Sequence, residues 1–333
     1  MSKIHNEEMH SVKPHSGAEE HNREKEHSGK KQHRAQKQHR AQKQHSSKKQ
    51  HSDKKQHPSF RLWIQVLWAA LTNGYVLGFM KGKIYTGPTK NICVPGLNCY
   101  SCPGAVGSCP IGSLQAVLGS RDYKFSFYII GFLMIIGSVF GRFVCGWLCP
   151  FGLVQELLHK IPVPFKRKNL PGHKKLVRLK YMVLVLFVIV LPLTVTDFLG
   201  QGSPWFCQYI CPSGTLLAGI PLVLGNSSLR SAVGFLFQWK VLILAVIVIG
   251  STMIYRPFCK YLCPLGAVYG LFHPISLYRY QVDESACTKC GKCQKVCKMD
   301  IPVYEEPNSR ECIRCGDCIK ACPEGAICRK WIK

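Results

Sequence analysis

Nineteen cysteines, all lying beyond residue 92, constrain this 333-residue chain more than any other feature. Cys287, Cys290, Cys293 and Cys297 follow C-x2-C-x2-C-x3-C, and Cys312, Cys315, Cys318 and Cys322 repeat it, with Pro323 after the last. That is the spacing of bacterial two-cluster ferredoxins. Three close cysteines wrap one cubane, and the fourth is too far along the chain to complete it, so it ligates the other. The expected sets are Cys287, Cys290, Cys293 and Cys322 for one [4Fe–4S] cluster, and Cys312, Cys315, Cys318 and Cys297 for the second. Lys298 stands where proline is usual after Cys297. A pair of structural zinc sites would leave this interleaving without purpose, since zinc needs four ligands per site. The spacings exclude a small secreted disulfide scaffold and imply cluster assembly in a reducing cytosol. Cys328 reads as a free cysteine.

Three further motifs recur after apolar stretches: Cys145-Gly-Trp-Leu-Cys149-Pro150, Cys207-Gln-Tyr-Ile-Cys211-Pro212 and Cys259-Lys-Tyr-Leu-Cys263-Pro264. Cysteines four apart stand one helical turn apart, so both sulfurs can face one ligand. The following proline marks a break or a new helix start. Two thiolates cannot hold a cubane, but two such motifs together can. Cys145 and Cys149 are expected to pair with Cys259 and Cys263 around one cluster on the inner side of a membrane. Cys207 and Cys211 then fall on the outer side with Cys93, Cys99, Cys102 and Cys109. This gives six cysteines for one cluster, or for two with another ligand; buried packing or disulfides are the alternative there. The membrane part is thus expected to carry one or two clusters beyond the two of the ferredoxin part.

The membrane enters through hydropathy. Phe60–Met80, Ser126–Val144, Tyr181–Leu199 and Val233–Ile254 are apolar and near the roughly 20 residues that a span requires. Ser213–Gly225 is shorter, contains Pro221, and reads as a re-entrant or extra short span. The basic run from Lys166 to Lys180 is expected to be cytoplasmic, which orients four spans with both ends inside. Lys81, Lys83, Lys90, Arg121 and Lys124 would then lie outside, against that rule. Arg142, Arg256 and Lys260 flank the inner motifs; they read as interfacial anchors, with offsetting of cluster charge as the alternative. No cleavable signal peptide is expected, and the apolar run from Phe60 should remain as an anchor.

Residues 1–58 carry 14 Lys and Arg and 10 of the 13 His, recurring every six positions from His15 to His57. No core can form from such a tract, so it reads as a disordered tail held near anionic lipid, or as a weak site for soft divalent metal. The net charge of +26 could suggest nucleic acid, but the basic residues border apolar runs or sit in this tail, so a nucleic-acid partner is not expected. The expected fold is a membrane α-helical protein of about four spans, with a C-terminal α+β two-cluster ferredoxin-like domain. Its boundaries fall at 1–58 for the tail, 59–275 for the transmembrane part and 276–333 for the ferredoxin-type domain.

The runs RFVCGWLCPFG (Arg142–Gly152) and PFCKYLCPLG (Pro257–Gly266), with the paired motifs from Cys287 to Pro323, resemble the membrane-bound polyferredoxins. That family includes the quinol-oxidising membrane component of periplasmic nitrate reductase systems and the C-terminal half of the nitrous-oxide-reductase regulator. The resemblance covers about residues 60–328, and the third motif at Cys207–Pro212 departs from it. It implies single-electron transfer at the cell (inner) membrane to or from a partner oxidoreductase, with quinone as a further candidate partner. The chain would then be an electron carrier or oxidoreductase subunit rather than a free-standing catalyst. A redox-sensing regulator or assembly factor, and a quinol-oxidising subunit, are the rival readings. No phosphate loop, flavin fingerprint or hydrolase triad stands out.

Overall fold

In the computed structural model, residues 58–120, 126–196 and 201–331 are described; the His-rich tail lies outside them. Helix α1 (Pro58–Thr72) ends where the Asn73 side chain and the Thr72 hydroxyl bond back to the Ala69 and Trp68 carbonyls. A short α2 (Val76–Lys81) follows, then an irregular loop carrying Cys93, Cys99 and Cys102. Helix α3 (Pro110–Gly119) leads to α4 (Ser126–Phe140), which stops at Gly141, held at φ +54°. A one-turn α5 (Phe143–Trp147) and α6 (Pro150–Lys160) come next. Helix α7 (His173–Thr194) and helix α8 (Pro212–Gly225) each contain a π-helical stretch, Leu184–Val190 and Thr215–Gly219. Each stretch lies just before a proline, Pro192 or Pro221. Proline lacks the N–H and crowds the carbonyl four residues back, and a widened turn relieves both.

A short α9 (Ser227–Ser231) precedes α10 (Phe235–Met253), α11 (Pro257–Tyr261) and α12 (Pro264–Phe272). The remainder is a small α+β unit. Strand β1 (Tyr278–Val282) pairs antiparallel with β2 (Ile327–Trp331), Tyr278 opposite Trp331 and Val282 opposite Ile327. Between them lie two matching one-turn helices, α13 (Lys292–Val296) and α14 (Asp317–Ala321). Each is entered through a glycine at positive φ, Gly291 at 70° and Gly316 at 87°. The residues at the centre of each first C-x2-C, Lys289 and Arg314, are also left-handed, at 51° and 50°. The two halves of this unit therefore repeat each other in backbone as well as in sequence.

Of the four expected spans, two form helices long enough to cross a bilayer: His173–Thr194, of 22 residues, and Phe235–Met253, of 19. Their apolar side chains are mostly exposed, including Met182, Val185, Leu242, Val246 and Ile249, so neither is the core helix of a water-soluble domain. The other two give α1 and α4, of 15 residues each. At 1.5 Å per residue that is about 22 Å against a hydrocarbon core of about 30 Å. Ser213–Gly225 falls in α8, which is likewise short.

Four basic residues expected at a membrane surface are instead inside. Arg142, Arg256, Lys260 and Lys180 are all fully buried. Lys180 ends no loop; it lies within α7, ion-paired to Glu311.

Candidate iron–sulfur centres

The ferredoxin-type cysteines fall into two groups. One small cavity is lined by Cys287, Cys290, Cys293 and Cys322, and a second by Cys297, Cys312, Cys315 and Cys318. Each group takes its last cysteine from the other motif, as the interleaved spacing requires. The second cavity faces the helical part. The Trp147 indole donates to the Arg314 carbonyl at 3.1 Å, and the Arg314 guanidinium donates to the Phe140 carbonyl at 3.1 Å. A methyl group on Gly146 would stand 2.3 Å from the Ile313 carbonyl oxygen, so only glycine admits this approach. Cys290, in the first cavity, is exposed.

Cys145, Cys149, Cys259 and Cys263 come together in the core, each at most 7% exposed. Their two motifs are built alike. Cys149 and Cys263 are the N-caps of α6 and α12, with proline at the first helical position, and each sulfur accepts the N–H of the glycine three residues on, at 3.4 Å. Proline costs nothing there, because that N–H has no helical partner. Two helix N-termini therefore aim their positive ends at the sulfurs, an arrangement that favours an anionic ligand.

Two arginines cross between the motifs. Arg142, three residues before Cys145, donates to the Cys259 carbonyl at 3.1 Å. Arg256, three residues before Cys259, donates to the Cys145 carbonyl. Each guanidinium lies beside the glycine of the opposite motif: a Cβ on Gly152 would stand 3.0 Å from Arg256, and one on Gly266 3.3 Å from Arg142. Arg256 reaches this position with φ +51°, a strained conformation for a residue before proline. Glu156 bonds Arg256 at 2.9 Å and Arg61 at 2.7 Å; Glu311 bonds Arg142 at 2.6 Å and also Lys180. Burial by itself would raise the Glu156 carboxyl, but Arg256 and Arg61 outweigh it and hold the group below the usual carboxylate range.

Four buried thiols grouped in this way suit a metal cluster. Burial, then the neighbouring Cys149, pushes the Cys259 thiol well above its ordinary value. If ionised, four such sulfurs would need compensating positive charge, which the iron of a bound cluster would supply. A mononuclear thiolate site with bonds of about 2.3 Å would bring its sulfurs to about 3.8 Å. Among the described residues, no three Cys, His, Asp or Glu side chains converge on a single-ion site. A cubane accepts ligand sulfurs set farther apart than that, and four buried thiols beside two helix N-termini and two buried arginines suit an anionic cluster of this kind.

The outer cysteines do not gather as one group of six. Cys93, Cys99, Cys109, Cys207 and Cys211 line a cavity of about 600 Å³. Cys102 does not line that cavity; it packs with Ala105 and Ala218, with Cys99 against them, and its sulfur is 3.7 Å from Asn73 Oδ1. Between this cavity and the inner group lies the fully buried Tyr269, whose hydroxyl donates to the Pro95 carbonyl at 3.1 Å.

The sequence reading named Arg142 and Arg256 but not their crossing between motifs, and it passed over the helix start at Cys109-Pro110 and two buried glutamines, Gln115 and Gln155. All three carry a signal in the repeats. Arginine stands three residues before the first cysteine of two motifs, and glutamine six residues after Cys109 and Cys149.

The fold and these cysteine groups define a helical protein of the iron–sulfur class with a small cysteine-rich α+β unit at its C-terminal end. Residues 125–169, 179–226 and 236–276 match the profile of a 4Fe-4S binding domain family. An uncharacterized protein of Methanocaldococcus jannaschii is 31% identical over 54% of this chain and 68% of its own length. The methylamine utilization ferredoxin-type protein MauN of Methylorubrum extorquens is 28% identical over 57% of this chain and 55% of its own. The putative electron transport protein YccM of Escherichia coli is 26% identical over 51% of this chain and 45% of its own. The chain thus spans about half the length of the last two. No solved structure matches it significantly. The chain belongs to the family of 4Fe-4S ferredoxin-type electron-transport proteins, as the resemblance in its motifs implied.

Proposed function

We propose that the chain passes single electrons along a row of [4Fe–4S] clusters, between a cytoplasmic redox protein and a partner in or beyond the cell (inner) membrane. One cluster would sit on Cys287, Cys290, Cys293 and Cys322, the next on Cys312, Cys315, Cys318 and Cys297, and a third on Cys145, Cys149, Cys259 and Cys263. The outer cysteines would supply at least one more. A bound cluster contributes one-electron chemistry; the protein fixes its position and potential. Exposed Cys290 suits the first cavity to a soluble partner, and Trp147 and Gly146 hold the second cavity against the inner group.

The observation that carries this reading is the continuity of the cysteine groups from an exposed edge to a core spanned by apolar helices. Helix α10 links the levels: its Lys240 donates to the Cys207 carbonyl, and its other end feeds the Cys259 motif. Lys240 and Met253 are about 20 Å apart along such a helix. We read α1, α4, α7 and α10 as four spans, since the shorter two also expose Trp63, Leu67, Phe127 and Ile135. The ferredoxin-type unit at 276–333 and the tail at 1–58 would then be cytoplasmic, with 59–275 in the membrane.

The test is electron passage across sealed, anaerobic vesicles containing the full chain. External dithionite should reduce ferric cytochrome c trapped inside, one electron per haem, only when the protein is present. Clusters that titrate while the trapped haem stays ferric would overturn the proposal and favour a redox sensor. A quinol-oxidising role has one observation in its favour: the outer cavity, about 600 Å³ against about 20 Å³ for each ferredoxin cavity, has room beyond a cubane. Reduction of the clusters by an added quinol would support it.

A further inference from the structure

The outer site repeats the inner one. Helices α3 and α6 start alike, Cys109-Pro110-Ile-Gly112 and Cys149-Pro150-Phe-Gly152, each with a glutamine six residues after the cysteine. Gln155 accepts the Phe258 N–H at 3.2 Å and donates to Cys259 Sγ at 3.1 Å. Gln115 accepts the Phe206 N–H at 2.9 Å and donates to Cys207 Sγ at 3.3 Å. Both glutamines and both phenylalanines are almost completely buried. Lys240 donates to the Cys207 carbonyl at 3.3 Å, as Arg142 does to the Cys259 carbonyl. Three outer cysteines therefore have inner counterparts: Cys109 for Cys149, Cys207 for Cys259 and Cys211 for Cys263.

The counterpart of Cys145 is missing, because Ala105 stands four residues before Cys109. Three cysteines offer themselves, Cys93, Cys99 and Cys102, and they stand differently toward the helix start at Gly214. Cys102 Sγ faces Asn73, and Cys93 Sγ, although on the wall of the same cavity, lies 3.9 Å from Ser113 Oγ and not beside Gly214. Cys99 Sγ and Cys211 Sγ flank the same helix start, at 3.6 and 3.9 Å from the position of a Cβ on Gly214. Cys207 Sγ stands 3.7 Å from the corresponding point on Gly112. In the same cavity the Ser213 hydroxyl is buried without a partner, a donor waiting for an acceptor.

We propose that Cys99, Cys109, Cys207 and Cys211 hold a fourth [4Fe–4S] cluster, and that Gln115 and Gln155 are positioning residues, each donating an amide N–H to a ligating sulfur. The proposal rests on the electron-transfer reading above and selects four ligands from its outer six, with Cys93 and Cys102 left out. A hydrogen bond to a cluster sulfur favours the reduced, more negative state and so raises the potential.

The test uses the anaerobically purified full chain, with iron and acid-labile sulfide analysis and redox titration followed by EPR. The unaltered chain should hold about 16 iron atoms, four per cubane. Cys99→Ala and Cys109→Ala should each lower this to about 12, with the ferredoxin-type signals intact as evidence of folding. Cys93→Ala and Cys102→Ala should each leave it unchanged. Gln115→Leu should keep the iron and shift one midpoint potential downward, and Gln155→Leu should shift a different one. A full iron complement in Cys99→Ala, cluster loss in Cys93→Ala or Cys102→Ala, or unmoved potentials in both glutamine variants would overturn the proposal. Only about 8 iron atoms in the unaltered chain would instead defeat the reading on which it rests.

Discussion

A Cys145→Ala, Cys259→Ala double substitution is expected to abolish electron passage from the ferredoxin side to an acceptor trapped inside vesicles, while the ferredoxin-type clusters still reduce and reoxidise. One ligand is lost from each of the two motifs that face each other in the core, so the remaining two thiolates cannot retain a cubane. Iron should fall by about four atoms per chain. The cavities lined by Cys287–Cys293 with Cys322, and by Cys312–Cys318 with Cys297, draw nothing from either motif, so their EPR signals should persist. Iron analysis and dithionite reduction of the trapped haem together read the effect. Undiminished electron passage in the double variant would remove the inner group from the route.

Arg256→Met should have the largest effect of any substitution outside the cysteines. The guanidinium is fully buried, ion-paired to Glu156, and bonded to the Cys145 carbonyl. Removing one partner of a buried pair costs about 3–5 kcal/mol, because the other charge is left without compensation. Here Arg61 still meets Glu156 at 2.7 Å, which places the expected loss near the lower end, about 3 kcal/mol. Methionine also leaves the Cys145 carbonyl without its donor and loosens the crossing that joins the two motifs. The expected outcome is a lower unfolding midpoint in denaturant and partial loss of the inner cluster. Since the Glu156 carboxyl is held below its ordinary range, its contribution is complete at neutral pH and fades only as the pH falls through the carboxylate range. A variant as stable as the unaltered chain would mean that the arginine pair is not structural.

Much of the site was legible in the cysteine spacing, because cluster ligation fixes ligand order along the chain. The interleaved grouping of the ferredoxin-type cysteines, and the meeting of the Cys145 and Cys259 motifs, are what the spacing and the internal repeat lead one to expect. What spacing could not supply is the surroundings. Arg142, Arg256 and Lys260 look like interfacial anchors, since positive charge beside apolar runs is the usual membrane pattern. Their burial follows from partners distant in sequence: Glu311, Glu156 and Asn169. Hydropathy likewise overstated the first helix. Phe60–Met80 reads as a span interrupted at Thr72 and Asn73, and the helix does stop there, with the Thr72 and Asn73 side chains bonded to the Trp68 and Ala69 carbonyls. The outer six cysteines remained undivided in sequence because their partition depends on how one irregular loop turns Cys93, Cys99 and Cys102 toward different neighbours.

The central claim, that the chain carries clusters beyond those of its ferredoxin-type unit, is tested most directly by iron and acid-labile sulfide content of the anaerobically purified full chain, combined with EPR of stepwise-reduced samples. The account predicts at least three cubanes, hence about 12 or more iron atoms per chain, with a signal that survives loss of the ferredoxin-type ligands. About 8 iron atoms, all accounted for by the ferredoxin-type signals, would contradict it.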